Sequence, residues 1–479
     1  MNSHRFFRAV LAASVMCFSG QSWAQRHPRE LAEPPALSFK TPRPVEFRLA
    51  NGVHVFYLED RELPLISLRG MLRGGDLYEP EDKAGLASLT GRVMRTGGTP
   101  TLPGDKLDEE LEFLAASVET SMGDEYAVVS ANCLKKDFKR VLEIFADVVM
   151  HPEFPQAKID LARNQDKERI RRRWDQPAAV SSLLFTERMF GETAYGRRAT
   201  FKSLNNINRE DLVSFHQRFF APGNLYLAVV GDLSQSEART MLEAAFREWQ
   251  GKDMTIPELP PLTEKADGTV YYAFRDTPQA NVALGHLGVR RNNPDEQKLE
   301  VMNRIFGGGG FTARLMKEIR SNRGLTYGIY GGVSSGKDRG VFRVASQLKA
   351  DRCGEALSVV KNIIQDLQTA PASEQELDLA KKGLVNSFVF QFQSKEQVAA
   401  RFMRLRLDGY PDDYFDRYID KISKVTAADV QEMAKKHMDL GKMILVVVGD
   451  EKKFDQPLSK LGKVQAIDYK QISQAEQKE

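Results

Sequence analysis

The chain has 479 residues, 42% hydrophobic and 28% charged, with a formal net charge of +3. That is length for two domains with sizeable cores, and so slight a charge argues against nucleic acid or an anionic membrane surface as a partner. The amino terminus stands apart. Arg5 and Arg8 precede an apolar run over 9–18 and the small-x-small site Ser22-Trp23-Ala24, the pattern of a cleavable signal peptide over 1–24. The run is too short to span a bilayer. Its removal takes two arginines and no acids, so the mature chain carries 3 − 2 = +1. Export to the periplasm of a Gram-negative bacterium, with no transmembrane segment, is the expected outcome. Two cysteines remain, Cys133 and Cys353, in different halves of the chain. They imply no disulfide framework and are expected to be buried and free.

A Pro-rich lead fills 25–44. Residues 45–60 alternate around Asn51-Gly52, a strong hairpin signal, and 64–74 read as another strand. The stretch 85–94 reads as a helix, and Leu107, Leu111, Leu114 and Val118 recur at helical spacing after Pro103-Gly104. A strand over 126–133 follows, then helices near 138–149, 156–174 and 178–189. The basic run 167–173 lies within this helical pattern and reads as a solvated or interface-facing helix face. A helix near 211–220, a strand at 225–230 and a capping box at Ser234 and Glu237 close the first half.

The second half repeats the first. Residues 207–232 (INREDLVSFHQRFFAPGNLYLAVVGD) align without a gap to 425–450 (VTAADVQEMAKKHMDLGKMILVVVGD), with 449 − 231 = 218; the Asp-Leu-Ala triplets at 160 and 378 keep the same shift. A single shift over separate segments implies two copies of one unit. The expected fold is α+β: two homologous domains, each a mixed β-sheet packed with helices, over 45–254 and 270–465. A Pro-rich linker at 255–269 joins them and a polar tail occupies 466–479. The same shift places Ser88 to Arg92 opposite Phe306 to Gly310.

The stretch 306–330 (FGGGGFTARLMKEIRSNRGLTYGIY) is the best candidate site. Gly307, Gly308, Gly309 and Gly310 let backbone lie close to another chain. Arg320 supplies five donors, and Tyr327 a phenol able to donate to a developing oxyanion. Two other patterns carry little. Residues 332–336 (GVSSG) match G-x-S-x-G, but an alternating strand follows where a helix is required. The glycine run follows a helix and lacks a closing Gly-Lys-Ser/Thr, so it is no phosphate cradle.

With the Asn-Gly hairpin, 72–100 (LRGGDLYEPEDKAGLASLTGRVMRTGGTP), the NLYLAVVGD close of the first half and the 307–328 stretch, the chain resembles the pitrilysin/insulinase family of zinc metallopeptidases, mitochondrial processing peptidases included. Active members carry H-x-x-E-H in the helix that here reads GLASLTGRVM: two imidazoles hold zinc and the glutamate activates its water. Here those positions are Ser88, Gly91 and Arg92, and the third ligand position falls on or beside Arg169. The resemblance implies that Arg320 and Tyr327 match the family's substrate-binding and transition-state pair. It further implies a non-catalytic subunit with no cofactor of its own, inactive alone, completing the site of a homologous partner that holds zinc and acts on a peptide. The alternative is a scaffold that kept the fold and lost all catalysis.

Overall fold

Two sheets organise the chain, and the computed structural model describes residues 39–251, 254–264 and 268–478. The expected signal peptide, and the Pro-rich lead up to residue 38, lie outside the described residues. The first sheet holds β1 (Val45–Arg48), β2 (His54–Glu59), β3 (Leu65–Arg73), β4 (Ser117–Met122), β5 (Tyr126–Leu134) and β6 (Tyr226–Gly231), in the order β1-β2-β6-β3-β5-β4. The second holds β7 (Val270–Phe274), β8 (Gln279–Leu287), β10 (Thr326–Val333), β12 (Val341–Lys349), β13 (Ile444–Gly449) and β14 (Val464–Ala466), in the order β10-β12-β8-β13-β7-β14. β9 (Val289–Arg290) and β11 (Ser335–Gly336) form a small parallel ribbon beside it. Both main sheets are mixed: β2 runs parallel to β6 and β7 to β13, among otherwise largely antiparallel neighbours.

The Asn51-Gly52 turn joins β1 to β2 as expected, with Gly52 at φ +101°, a value L side chains rarely adopt. β5 alternates, burying Ala127, Val129, Ala131 and Cys133 on one face. β6 and β13 instead read as continuous apolar runs, because successive residues on both of their faces are buried. The covering helices are exchanged. The Pro177–Phe190 helix, from the first half, packs on β13 and β8, and Val180, Leu184 and Phe185 join Ala283, Val446 and Val448 in one core. The Lys395–Leu407 helix, from the second half, packs on β6 and β2 of the first sheet. The two are duplication equivalents, since 395 − 177 = 218. Each fully buried Leu or Phe contributes about 1.5–3 kcal/mol. The exchange therefore ties the halves together with energy comparable to a whole domain's net stability, and from Lys40 the chain is one compact unit.

Three expectations need correction. Val118 does not extend a helix: the Gly104–Phe113 helix stops, Ala115 takes φ +47°, and Val118 lies in β4. The 218 shift holds from the Gln156–Arg172 and Glu374–Phe388 helices onward, but β3 and β8 differ by 279 − 65 = 214 and β5 and β12 by 341 − 126 = 215. The glycine run thus follows the helix equivalent to Leu86–Gly97 at its C-terminal end, rather than standing opposite Ser88 to Arg92. Finally, the segment expected as a polar tail is structured over its described residues 466–478. The Tyr469–Glu476 helix docks on the first half, and the buried Glu476 carboxylate accepts from Trp174 Nε1 at 2.7 Å and Arg198 Nε at 3.2 Å. The linker is likewise pinned, with Leu262 N donating to Asp338 at 2.6 Å. Cys133 and Cys353 are buried and free, and burial pushes their thiols up to about 11 and about 12.

Candidate functional site

The Leu86–Gly97 helix carries the positions where the family holds zinc. Its N-terminus is capped from outside by Glu79, whose carboxylate accepts from Gly85 N at 3.0 Å and Ala87 N at 2.6 Å. Burial, reinforced by Asp76, pushes the Glu79 carboxyl up to about 8 against these bonds. Three residues on, Ser88 is half-buried. Gly91 lies flat against the edge strand β4: a Cβ there would stand 2.4 Å from Met122 N and 2.8 Å from the Ser121 carbonyl carbon. Thr120 Oγ1 donates to the Gly91 carbonyl across the same contact. Arg92 Nη2 donates to Asp166 Oδ1 at 2.8 Å, and Arg169, one turn beyond Asp166 on the Gln156–Arg172 helix, pairs with the same oxygen.

Zinc does not fit this arrangement. Arginine offers only donors, a glycine supplies no carboxylate, and one buried aspartate is already claimed by two guanidinium groups. Among the described residues no group of three or more His, Cys, Asp or Glu side chains could hold a metal ion.

The second cluster sits at the edge of the other sheet. The Glu296–Asn303 helix continues into a wide π-type turn over Arg304–Gly308, which presses onto β10: a Cβ on Gly307 would stand 2.6 Å from Gly331 O. Asn303 fastens the contact, since its amide donates to Val333 O and accepts from Val333 N, both at 2.8 Å. Gly308 and Gly309 stay beside the helix's own carbonyls, and Gly310 turns the chain at φ +59° in open space. The segment is then anchored by Arg314, which grips Glu376 at 2.7 and 2.9 Å. Burial resists ionisation of Glu376, yet this bidentate pair and the Ser373 cap hold its carboxyl down at about 2.

Arg320 follows in the π-type turn Met316–Asn322, and Tyr327 near the start of β10. The fold brings them together. The Arg320 guanidinium carbon lies 5.2 Å from the Tyr327 ring centroid and 4.3 Å from that of Phe311. Phe311 is 64% exposed and Tyr327 87% exposed, and Tyr330 further along the strand is 60% exposed. The guanidinium makes no hydrogen bond or ion pair with any described residue. A cation held between two aromatic faces keeps its planar donors aimed outward. Sequence reasoning missed Phe311 and Asp166. A ring nine residues before an arginine gives no signal of its own, and Asp166 is one acid in a basic run. The GVSSG stretch ends β10 and turns into β12, with Ser334 Oγ donating to Val341 O at 3.0 Å, so no helix follows it.

The comparisons with known proteins agree with this architecture. Residues 67–200 match the model "Insulinase (Peptidase family M16)" and 206–384 match "Peptidase M16 inactive domain". A non-peptidase homologue from Helicobacter pylori is 24% identical over 84% of this chain and 93% of its own. An uncharacterised zinc protease of Streptomyces coelicolor is 24% identical over 69% of this chain and 73% of its own. In structure the chain is similar to a peptidase M16 inactive domain from Pseudomonas fluorescens, with TM-score 0.77, 27% identity, and 85% of this chain and 98% of that one covered. It also matches the fold of the periplasmic protease PqqL from Escherichia coli, with TM-score 0.72 and 15% identity, covering 92% of this chain and 50% of the other. The chain belongs to peptidase family M16, with its zinc positions replaced by an arginine–aspartate cluster.

Proposed function

We propose that this chain is the non-catalytic half of a two-chain periplasmic zinc peptidase, paired with a homologous subunit whose H-x-x-E-H is intact. In the partner, zinc and its glutamate supply the activated water. This chain lends Arg320, to hold a peptide carbonyl or carboxylate, and Tyr327, to donate to the oxyanion of the tetrahedral intermediate. Of the glycine turn, Gly307, Gly308 and Gly309 are taken up by packing within the chain, and Gly310 stands in open space beside the peptide, which can add as a strand along the free edge of β10. The observation that carries the reading is the Arg320 guanidinium, stacked between Phe311 and Tyr327 on an open sheet edge and free of any carboxylate among the described residues. The chain covers 50% of PqqL, a length with room for two such units, and PqqL's periplasmic address supports the same address here.

The test is co-expression with an adjacent intact family member. Cleavage by the pair should exceed that of the partner alone, and Tyr327→Phe in an assembled pair should cut turnover ~100-fold to ~1000-fold. Equal cleavage by the partner alone defeats the proposal. A silent Tyr327→Phe in a fully assembled, active pair leaves the scaffold reading.

A further inference from the structure

The hairpin between β10 and β12 carries Lys337 into a cavity that the peptidase reading does not use. This cavity, about 650 Å³, is walled by both halves and the linker, with Arg73 and Tyr78 from the first half, Arg290, Arg291 and Lys337 from the second, and Glu258 from the linker. Its charges are unevenly paired. Arg291 takes Glu125 at 2.8 and 2.9 Å and Asp408 at 3.1 Å, and Arg404 takes Asp408 as well, at 2.6 Å. That accounts for two of the three acids on the wall.

Three cations find no carboxylate among the described residues. Arg73 donates to the Leu407 carbonyl at 2.9 Å, Lys337 Nζ donates to the Tyr78 hydroxyl and lies 4.7 Å from that ring's centroid, and Arg290 is exposed with no polar partner. With Arg291 and Arg404 paired to Glu125 and Asp408, these three lining cations are left with Glu258 as the remaining acid of the wall, an excess of 3 − 1 = +2. The crowding is felt at Lys337. Burial, and repulsion from Arg73, Arg291 and Arg290 against the pull of Glu125, hold its ammonium below the usual lysine range. Like charges lining one partly desolvated space repel, and a bound anion relieves that repulsion.

We propose that this cavity binds a small dianion, a dicarboxylate or a phosphate ester, among Arg73, Arg290 and Lys337, where it bridges the two halves. The excess of two charges sets the ligand's charge, and the volume admits a metabolite-sized molecule rather than a lone inorganic ion. Neither Arg320 nor Tyr327 takes part, so this site stands or falls separately from the peptidase reading.

The experiment is calorimetric titration of the mature protein in phosphate-free, low-salt buffer with succinate, with glucose 6-phosphate, and with neutral glucose as control. Thermal melts run alongside, since a ligand that binds only the folded chain raises Tm. Saturable one-to-one binding of either dianion and not of glucose is expected, and the preferred probe tells a dicarboxylate from a phosphate ester. Lys337→Gln and Arg290→Gln should each weaken binding by about tenfold, and Arg320→Ala should leave it unchanged. Arg290 has no polar partner among the described residues to lose, so its variant tests the site even if Lys337→Gln fails to fold. No saturable binding of either dianion up to about 10 mM, equal binding of glucose, or unchanged affinity in Arg290→Gln would each overturn the assignment.

Discussion

Replacing Gly91 by alanine tests the claim that the zinc position has closed over, rather than merely lost its ligands. In a helix interior Gly→Ala ordinarily stabilises by up to about 1 kcal/mol. Here the added methyl would stand 2.4 Å from Met122 N, 2.8 Å from the Ser121 carbonyl carbon and 2.9 Å from Met122 Cγ. Two of those atoms are backbone, and the strand that owns them is held to β5 in register from Ser117↔Asn132 to Met122↔Ala127. Relief must come from lifting β4 or tilting the helix, which also strains the Thr120 bond to Gly91. Overpacking of this kind costs about 1–3 kcal/mol, so the net effect is a loss of ~1–2 kcal/mol and a reversed sign. Urea unfolding at constant slope measures it as a lower midpoint. A Gly91→Ala protein as stable as wild type, or more so, refutes the reasoning. Glutamate at 91 carries the same Cβ, so restoring H-x-x-E-H at 88, 91 and 92 should destabilise the chain and yield no one-to-one zinc in equilibrium dialysis.

In the assembled pair, Arg320→Ala should raise KM as well as lower kcat, because a guanidinium gripping the peptide acts before the transition state; steady-state kinetics against Tyr327→Phe separates the two. Residues 40–254 and 268–478 expressed separately should fail to give cooperative melts, since each lacks the helix that covers its own sheet; sharp independent transitions would contradict the exchange. Burial, helped by Glu296, lifts the Glu300 carboxyl from 4.5 to about 7 despite its bond from Tyr418. A raised carboxyl favours the fold fully below its unfolded value and loses that support as pH rises through about 7. Tm should therefore fall between about pH 5 and pH 8, and Glu300→Gln should flatten the profile, recovering up to ~3 kcal/mol at the alkaline end. An unchanged slope in that variant would count against it.

Much of the fold was legible because local chemistry and global packing agree. The Asn-Gly turn, the alternation of β5 and the capping box at Ser234 are signals that need no partner to be read, and each stands where expected. β4 was not legible, because an edge strand with one solvated face, SVETSM, shows only weak alternation and follows helical spacing directly. The helix exchange was invisible for a different reason. Periodicity tells that the Pro177–Phe190 helix buries a face, not which of two similar sheets receives it. At the site, the loss of zinc ligands could be read by position, whereas the replacement network could not. Nothing in KERIRRR says that Asp166, just upstream, is the buried counter-ion for both Arg92 and Arg169.

The two arginine clusters set the limits of what the chain can do. At the old metal position, Arg92 and Arg169 converge on one buried carboxylate, and backbone fills the space where a general base would stand. Those cations are spent on holding two helices together, and the edge strand beside them is packed against. At the other sheet edge the balance is reversed. Arg320 has no carboxylate among the described residues, and its supports are two rings that leave most of their own surface in water. Exposing such rings forgoes the burial that aromatic side chains usually gain on folding. The arrangement stabilises the isolated chain little, and under the proposed function it becomes favourable when an extended peptide covers the rings and accepts from the guanidinium. On the proposed reading, Arg320 and Tyr327 bind and position a peptide, and the homologous subunit brings the metal that activates water for the cut.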